Sequence, residues 1–169
     1  MAGPTAYRET ERLRLRPARL ADASALMPIL GDRKSRPYTF NIESLRECRR
    51  HIAANECQRR KLGYALWVVL EKADSRVIGF GGLYDDPFDT GWGPEIAYHF
   101  LPDVRGRAYA TELARYSLTV ARELNLPEVR AFAHPDNIAS MRVLEKAGFV
   151  EERFVPRMDR FLYRRKLST

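Results

Sequence analysis

Cysteine is almost missing from this chain: Cys48 and Cys57 are its only two. Both fall in one stretch expected to be helical. At about 1.5 Å rise per residue they stand roughly 13 Å apart, beyond the reach of a disulfide. A reducing compartment, the cytoplasm, is therefore the expected location. Histidine is nearly as scarce. His51, His99 and His134 show no ligand spacing with either cysteine, so no metal site is expected. No apolar run approaches the ~18 residues that span a bilayer, which argues against a membrane protein. The opening MAGPTAYRETERLRLRP lacks the apolar centre of a secretory signal. Internal repeats, low-complexity tracts and any stretch resembling an interdomain linker are absent too.

Lysine is the last scarcity, with 5 against 24 arginines in a chain of net charge +7 and pI about 9.7. A basic surface favours acidic partners at long range, and guanidinium suits phosphate. Composition alone does not separate that from a genome-wide preference for arginine codons. The basic residues are dispersed rather than gathered in a stripe, and no nucleic-acid recognition motif is present, which argues against nucleic-acid binding. The 169 residues, 45% hydrophobic, suffice for one domain with a sizeable core. The expected division is a flexible tail over residues 1–10 and a single domain over 11–169.

Hydrophobic period then gives the elements. RLRLRP (12–17) alternates strictly and reads as a strand with Leu13 and Leu15 inward. LADASALMPIL reads as a short helix that Asp22 can cap and Gly31 ends. A second helix is expected from about Ile42 to Lys61, with Leu45, Cys48 and Ile52 on its apolar line. YALWVVLE (64–71) and RVIGFGGLY (76–84) read as a hairpin. EIAYHFL (95–101) reads as a strand with Ile96, Tyr98 and Phe100 on one face and Glu95, Ala97 and His99 on the other. A loop at 102–107 leads into a helix to about Leu124. EVRAFAH (128–134) is a strand, NIASMRVLEKAG (137–148) a helix closed by Gly148, and FVEERFV and RFLYRRKL are strands. The pattern is one α/β domain with mixed connections.

The chemistry starts at Arg105-Gly-Arg-Ala-Tyr-Ala110. Two arginines precede a helix whose N-terminus already carries the positive end of a dipole, where acidic residues would be stabilising. An external anion resolves that conflict, because first-turn N–H groups and the dipole together make an anion site. Gly106 permits close backbone approach, and a diphosphate is the most obvious guest. A solvated basic loop is the alternative. In HPDNIASMRVLEKAGFV (134–150), Asn137 is either a helix cap or a ligand-binding amide, and Ser140 a plain helix residue or a proton donor.

Taken together, Arg105-Gly-Arg-Ala-Tyr-Ala110 and Asn137-Ile-Ala-Ser140 with Gly148-Phe149 resemble the signatures of the GCN5-related N-acetyltransferases, the GNAT family. The resemblance extends over roughly residues 8–152 and is nearest to the branch of the ribosomal-protein N-terminal acetyltransferases. It implies a GNAT-like α/β (α+β) fold with a central mixed sheet of six or seven strands and helices on both faces. Acetyl-CoA, as cosubstrate, would lie in a splay between strands 95–101 and 128–134. The amides of Arg105, Gly106, Arg107, Ala108, Tyr109 and Ala110 would hold its pyrophosphate. The backbone of Phe100 and Leu101 would pair with pantetheine as an added strand, and Asn137 would hydrogen-bond the same arm.

Two residues depart from the family pattern. Ala108 stands where a glycine is usual, and it is expected to be helical already and hence harmless. Leu144 stands where many relatives carry a catalytic tyrosine. The implied reaction is attack of a primary amine, on a protein N-terminus or a small molecule, on the acetyl thioester. Glu95 is the candidate base, directly or through a water, with Asp85 and Asp86 as weaker candidates. Ser140 is the candidate donor to the leaving thiolate. Positioning alone can remove roughly 7–11 kcal/mol of barrier. The alternatives are an acetyl-CoA-binding protein without catalysis and, further off, a basic nucleic-acid-binding protein. The acceptor would be bounded by loops 31–41 and 85–94, where Tyr38, Phe40, Phe88 and Trp92 line a pocket or pack the loops. A monomer and a homodimer are both open.

Overall fold

The computed structural model describes residues 7–167. Its strands are β1 (Arg8–Glu9), β2 (Leu13–Arg16), β3 (Trp67–Glu71), β4 (Val77–Tyr84), β5 (Glu95–Phe100), β6 (Glu128–Ala133), β7 (Val150–Val155) and β8 (Arg160–Lys166). Its helices are α1 (Ala23–Leu30), α2 (Leu45–Leu62), α3 (Tyr109–Glu123) and α4 (Ile138–Lys146). One sheet of eight strands runs β1-β2-β3-β4-β5-β6-β8-β7. Every neighbouring pair is antiparallel except β5 and β6.

Eight strands exceed the expected six or seven. The excess includes Arg8–Glu9, placed beforehand in a flexible tail. This two-residue strand pairs with Leu15 and Arg14. It is anchored by Glu112 of α3, whose carboxylate accepts from Thr10 Oγ1 at 2.5 Å, from Arg12 N at 2.8 Å and from Arg12 Nε at 2.8 Å. Those are long-range contacts that no local pattern reveals. The rest of the supposed tail, residues 1–6, lies outside the described residues.

Alternation in β2 does what it predicts: Leu13 and Leu15 are fully buried. The sheet is covered on both faces, as expected. On one side α1 and α2 bury Leu26, Cys48 and Ile52 against Val68 and Phe80. On the other α3 and α4 bury Leu113, Leu118 and Leu144 with Ile96, Val129 and Tyr163. Cys48 is a core residue, and both cysteines are free. Helix α2 begins later than expected, at Leu45, because Ser44 caps it: its side chain accepts from Glu47 N. Asp22 does not cap α1 with its side chain. Its carboxylate instead takes both guanidinium nitrogens of Arg16 at 2.7 Å and the Arg19 N–H at 2.7 Å. No helix among the described residues is long and apolar enough to cross a membrane.

Candidate active site

The sheet is incomplete at its centre. Strands β5 and β6 share one register point, Glu95 opposite Arg130, supported by Arg130 N donating to Pro94 O at 2.9 Å. Beyond it, β5 follows β4 out to Leu101 N on Ile78 O, and β6 follows β8 out to Ala133 opposite Phe161. The two strands therefore part toward their carboxyl ends, where the splay was expected. In an antiparallel pair, residues alternate between spending their backbone groups on the partner and turning them away. Leu101 and Ile78 are a bonded pair, so Glu95, Ala97 and His99 also bond β4. Ile96, Tyr98 and Phe100 turn their N–H and C=O groups into the gap. This corrects the expectation for Leu101: its N–H is held by Ile78 and its carbonyl accepts from Val104 N at 3.3 Å. Tyr98 offers a free rung, and Phe100 a free N–H, its carbonyl being taken by Arg105 at 3.1 Å.

At the mouth of the gap the chain turns into α3. Among the described residues no acceptor meets the N–H groups of Gly106, Arg107, Ala108, Tyr109 or Ala110. Gly106 has φ 79° and Ala108 φ 63°. Left-handed residues at alternate positions fold successive N–H groups into a concave anion-binding nest. The expectation that Ala108 is already helical is thus incorrect. It is the residue before the helix, left-handed, and an L side chain there costs roughly 1–2 kcal/mol. Helical periodicity includes Ala108 because alanine fits any helix pattern; backbone handedness leaves no trace in it.

The two arginine side chains do not simply add free charge. Arg105 donates to Ser35 O at 2.8 Å and to Phe100 O at 3.1 Å, tying loop 32–40 to β5. Arg107 lies 3.6 Å from the Glu71 carboxylate. Asn137 caps α4, its Oδ1 accepting from Ser140 N at 3.2 Å, which leaves its amide N–H₂ for other partners. Leu144 is fully buried in the core, so it takes no part in proton transfer.

Ser140 has an unexpected partner. Tyr98, on the facing strand, places its hydroxyl 2.9 Å from Ser140 Oγ and 3.1 Å from Ser140 O. Burial holds the Tyr98 phenol well above its ordinary value, so it stays protonated. In the sequence, Tyr98 is only a member of one face of β5, with Ile96 and Phe100. Its pairing depends on how α4 lies across the sheet.

On the opposite face of β5 sits Glu95, only 5% exposed. Burial, then the charges of Asp86, Asp89 and Asp85, push its carboxyl up to about 8, with Arg130 acting the other way. A carboxylate poised near neutrality is what a general base requires. Asp85 is engaged by the Tyr64 hydroxyl at 2.7 Å. Asp86 accepts from Phe88 N at 2.8 Å, so it also shapes its own loop.

These elements surround one cavity of about 940 Å³, running from the nest through the splay to Glu95. Tyr38, Phe40 and Phe88 line it, with Phe40 and Phe88 packed on either side of His51. Trp92 does not line it, and packs edge-on against Phe132. Arg36 and His99, neither of them a candidate site residue in the sequence, also face it.

Residues 12–150 match a sequence model described as the acetyltransferase (GNAT) domain. The chain is 29% identical over 141 residues, 82% of each protein, to the uncharacterized protein YkkB of Bacillus subtilis. Among solved structures it resembles yncA of Salmonella typhimurium, solved with its cofactor acetyl-CoA. The TM-score there is 0.74 at 20% identity, covering 94% of this chain and 95% of that one. It also resembles RimL, a ribosomal L7/L12 alpha-N-protein acetyltransferase in complex with coenzyme A. That TM-score is 0.80 at 17% identity, covering 96% and 98%. With the split sheet and the nest already in place, the match over most of the chain means that this protein belongs to the GNAT acetyltransferase family.

Proposed function

We propose that the protein transfers the acetyl group of acetyl-CoA to a primary amine by direct attack on the thioester. The observation that carries this is the pairing of two unfilled backbone features in one cavity: the splay beside Tyr98 and Phe100, and the N–H nest from Gly106 to Ala110. The nest suits a pyrophosphate, and the free rungs suit an amide-bearing arm laid along β5. Acetyl-CoA supplies the activated acyl group. The chain's part is to orient it, exclude water and move two protons.

Glu95 receives the proton of the acceptor amine, directly or through a water. The hydroxyl pair Tyr98–Ser140, on the other face of β5, supplies a proton to the leaving thiolate. Arginine can only donate, and neither Arg105 nor Arg107 is placed to act as acid or base. A backbone N–H of β5 turned into the gap stabilises the oxyanion.

Thermal-shift titration with acetyl-CoA tests the reading. Saturation at about 100 times Kd adds roughly 2.7 kcal/mol, a rise of about 5–10 °C for a domain of this size. Thiol release in an amine screen then reports turnover. Absence of both a shift and thiol release overturns the proposal.

A further inference from the structure

The acceptor side of the cavity is bipolar. Its acidic end holds Glu95, Asp86 and Asp89. Its other end holds Arg36, Arg105 and Arg160, and among the described residues none of these three forms an ion pair. Arg36 is 5% exposed and donates to the carbonyl of Leu30 and, at 3.2 Å, to His99 Nδ1. Arg160 donates to Tyr38 O at 2.9 Å, and Arg105 is bound to carbonyls as described. By contrast, the half-buried Arg16 has Asp22 and the buried Arg59 has Glu56. A guanidinium this deep without a counter-charge is costly. Burial, and then Arg105 and Arg160, bring the Arg36 pKa down to about 10, so the three cations feel one another.

His99 completes the arrangement. An arginine cannot accept, so His99 Nδ1 must accept from Arg36, and the ring proton then sits on Nε2. Burial and the three arginines hold His99 far below its ordinary value, so the ring is neutral. Its one hydrogen bond among the described residues is the one at Nδ1, and the ring lines the cavity. The three guanidinium groups and an imidazole N–H thus line one part of the cavity, with no carboxylate among the described residues paired to any of them.

We infer that this end of the cavity is a carboxylate subsite, and that the acceptor is a small molecule carrying an amine at one end and a carboxylate at the other. The inference rests on the acetyl-transfer reading for the role of the amine end, and it specifies the substrate class. Glu95 and His99 lie on one face of β5, four residues and about 13 Å apart. A charge-assisted hydrogen bond at each end takes up about 3 Å, which leaves roughly 7 Å between the two charges. At about 1.5 Å per bond with tetrahedral angles, that span corresponds to a chain of roughly four to five carbons. An α-amino acid is too short to touch both ends.

The test is an acceptor series of straight-chain ω-amino acids from glycine to 6-aminohexanoate, each paired with its primary amide. Thiol release from acetyl-CoA gives kcat/KM. Calorimetry in the presence of CoA gives Kd, so binding is read whether or not turnover occurs. The expected result is an optimum at 4-aminobutanoate or 5-aminopentanoate, with the acid at least tenfold better than its amide. In Arg160→Gln the loss should be in KM, and the acid-to-amide ratio should fall toward one. Arg36→Gln should do the same; because Arg36 also holds Leu30, Arg160→Gln decides if that variant does not fold. Amides that bind as well as acids, or no dependence on chain length, overturn the subsite. Missing thiol release with all amines, alongside selective acid binding, would overturn the transfer reaction and leave the subsite standing.

Discussion

The hydroxyl of Tyr98 lies 2.9 Å from Ser140 Oγ and 3.1 Å from the carbonyl oxygen of the same residue. A phenol has one proton. If it goes to the carbonyl, Ser140 must donate its own hydroxyl proton to Tyr98; if it goes to Oγ, Ser140 is free to donate outward. Only the second arrangement makes Ser140 a direct donor to a thiolate, with Tyr98 restoring the proton behind it.

Tyr98→Phe and Ser140→Ala therefore form a test of the pair. Acting as one relay, each single variant and the double variant should lose a similar factor in kcat, on the order of 10–100-fold with general-acid catalysis at its weaker end. Pre-steady-state rates at saturating acetyl-CoA measure this. Unchanged turnover in Ser140→Ala removes Ser140 from the mechanism.

With Glu95 as the base, its ionised form is required, so kcat/KM should climb about tenfold per pH unit below about 8 and then level. Glu95→Gln should lose at least about 100-fold. An acceptor amine of low basicity separates this ionisation from that of the substrate, and unchanged kcat/KM in the variant excludes Glu95 as base.

The same residue carries a stability signature of opposite sense. Its folded pKa is raised, so folding favours the protonated form. That stabilisation is fully present below the ordinary value of 4.5 and is lost as the pH rises to about 8. The slope is at most about 1.4 kcal/mol per pH unit. Urea denaturation from pH 5 to 8.5 should show Glu95→Gln gaining on the parent as the pH rises.

Ala108→Gly should stabilise the protein. Relief of the left-handed strain, less the greater freedom of glycine in the unfolded chain, is worth about 0.5–1 kcal/mol. That corresponds to a melting point raised by about 1–4 °C. Ala114→Gly, within α3, should move it downward by more than glycine's helix penalty of about 1 kcal/mol, since a buried methyl is also lost.

Glu112→Gln should loosen the amino-terminal strand. Burial raises the Glu112 carboxyl, but hydrogen bonds from Thr10 and Arg12 outweigh it, and the net shift is downward. Its contribution is present above the ordinary value of 4.5 and is lost as the pH falls through the lowered folded value. A carboxylate with these partners is worth about 1.5–3 kcal/mol, and amide exchange at Arg8 and Leu15, the bonded pair of this strand, should rise in the variant.

Most of the frame was legible because it follows period and punctuation. The leucines of β2, the Gly31 and Gly148 stops and the β3–β4 hairpin are local facts. The anion loop was legible for the same reason, as charge and glycine set before a helix. What escaped depends on distance in sequence or on backbone handedness. Arg8–Glu9 needs α3 to hold it, and Tyr98 needs α4. Ala108 needs its φ angle. The direction in which Leu101 points its N–H follows from the register of β4 against β5, which no pattern in either strand specifies. Arg36 reads as one more surface arginine until Leu30 and His99 close around it.

The single rung joining β5 to β6 has a consequence for how this enzyme can change. A strand edge recognises spacing along a backbone and is indifferent to side chains. The nest likewise reads charge through main-chain N–H groups. On the acetyl-transfer reading, donor recognition would rest largely on main-chain atoms, which point mutation leaves in place. On the same reading, the acceptor chamber is walled by side chains, from loops 31–41 and 85–94 as well as from β5 and β8. Substitution there can retarget the enzyme repeatedly while its acetyl supply stays the same.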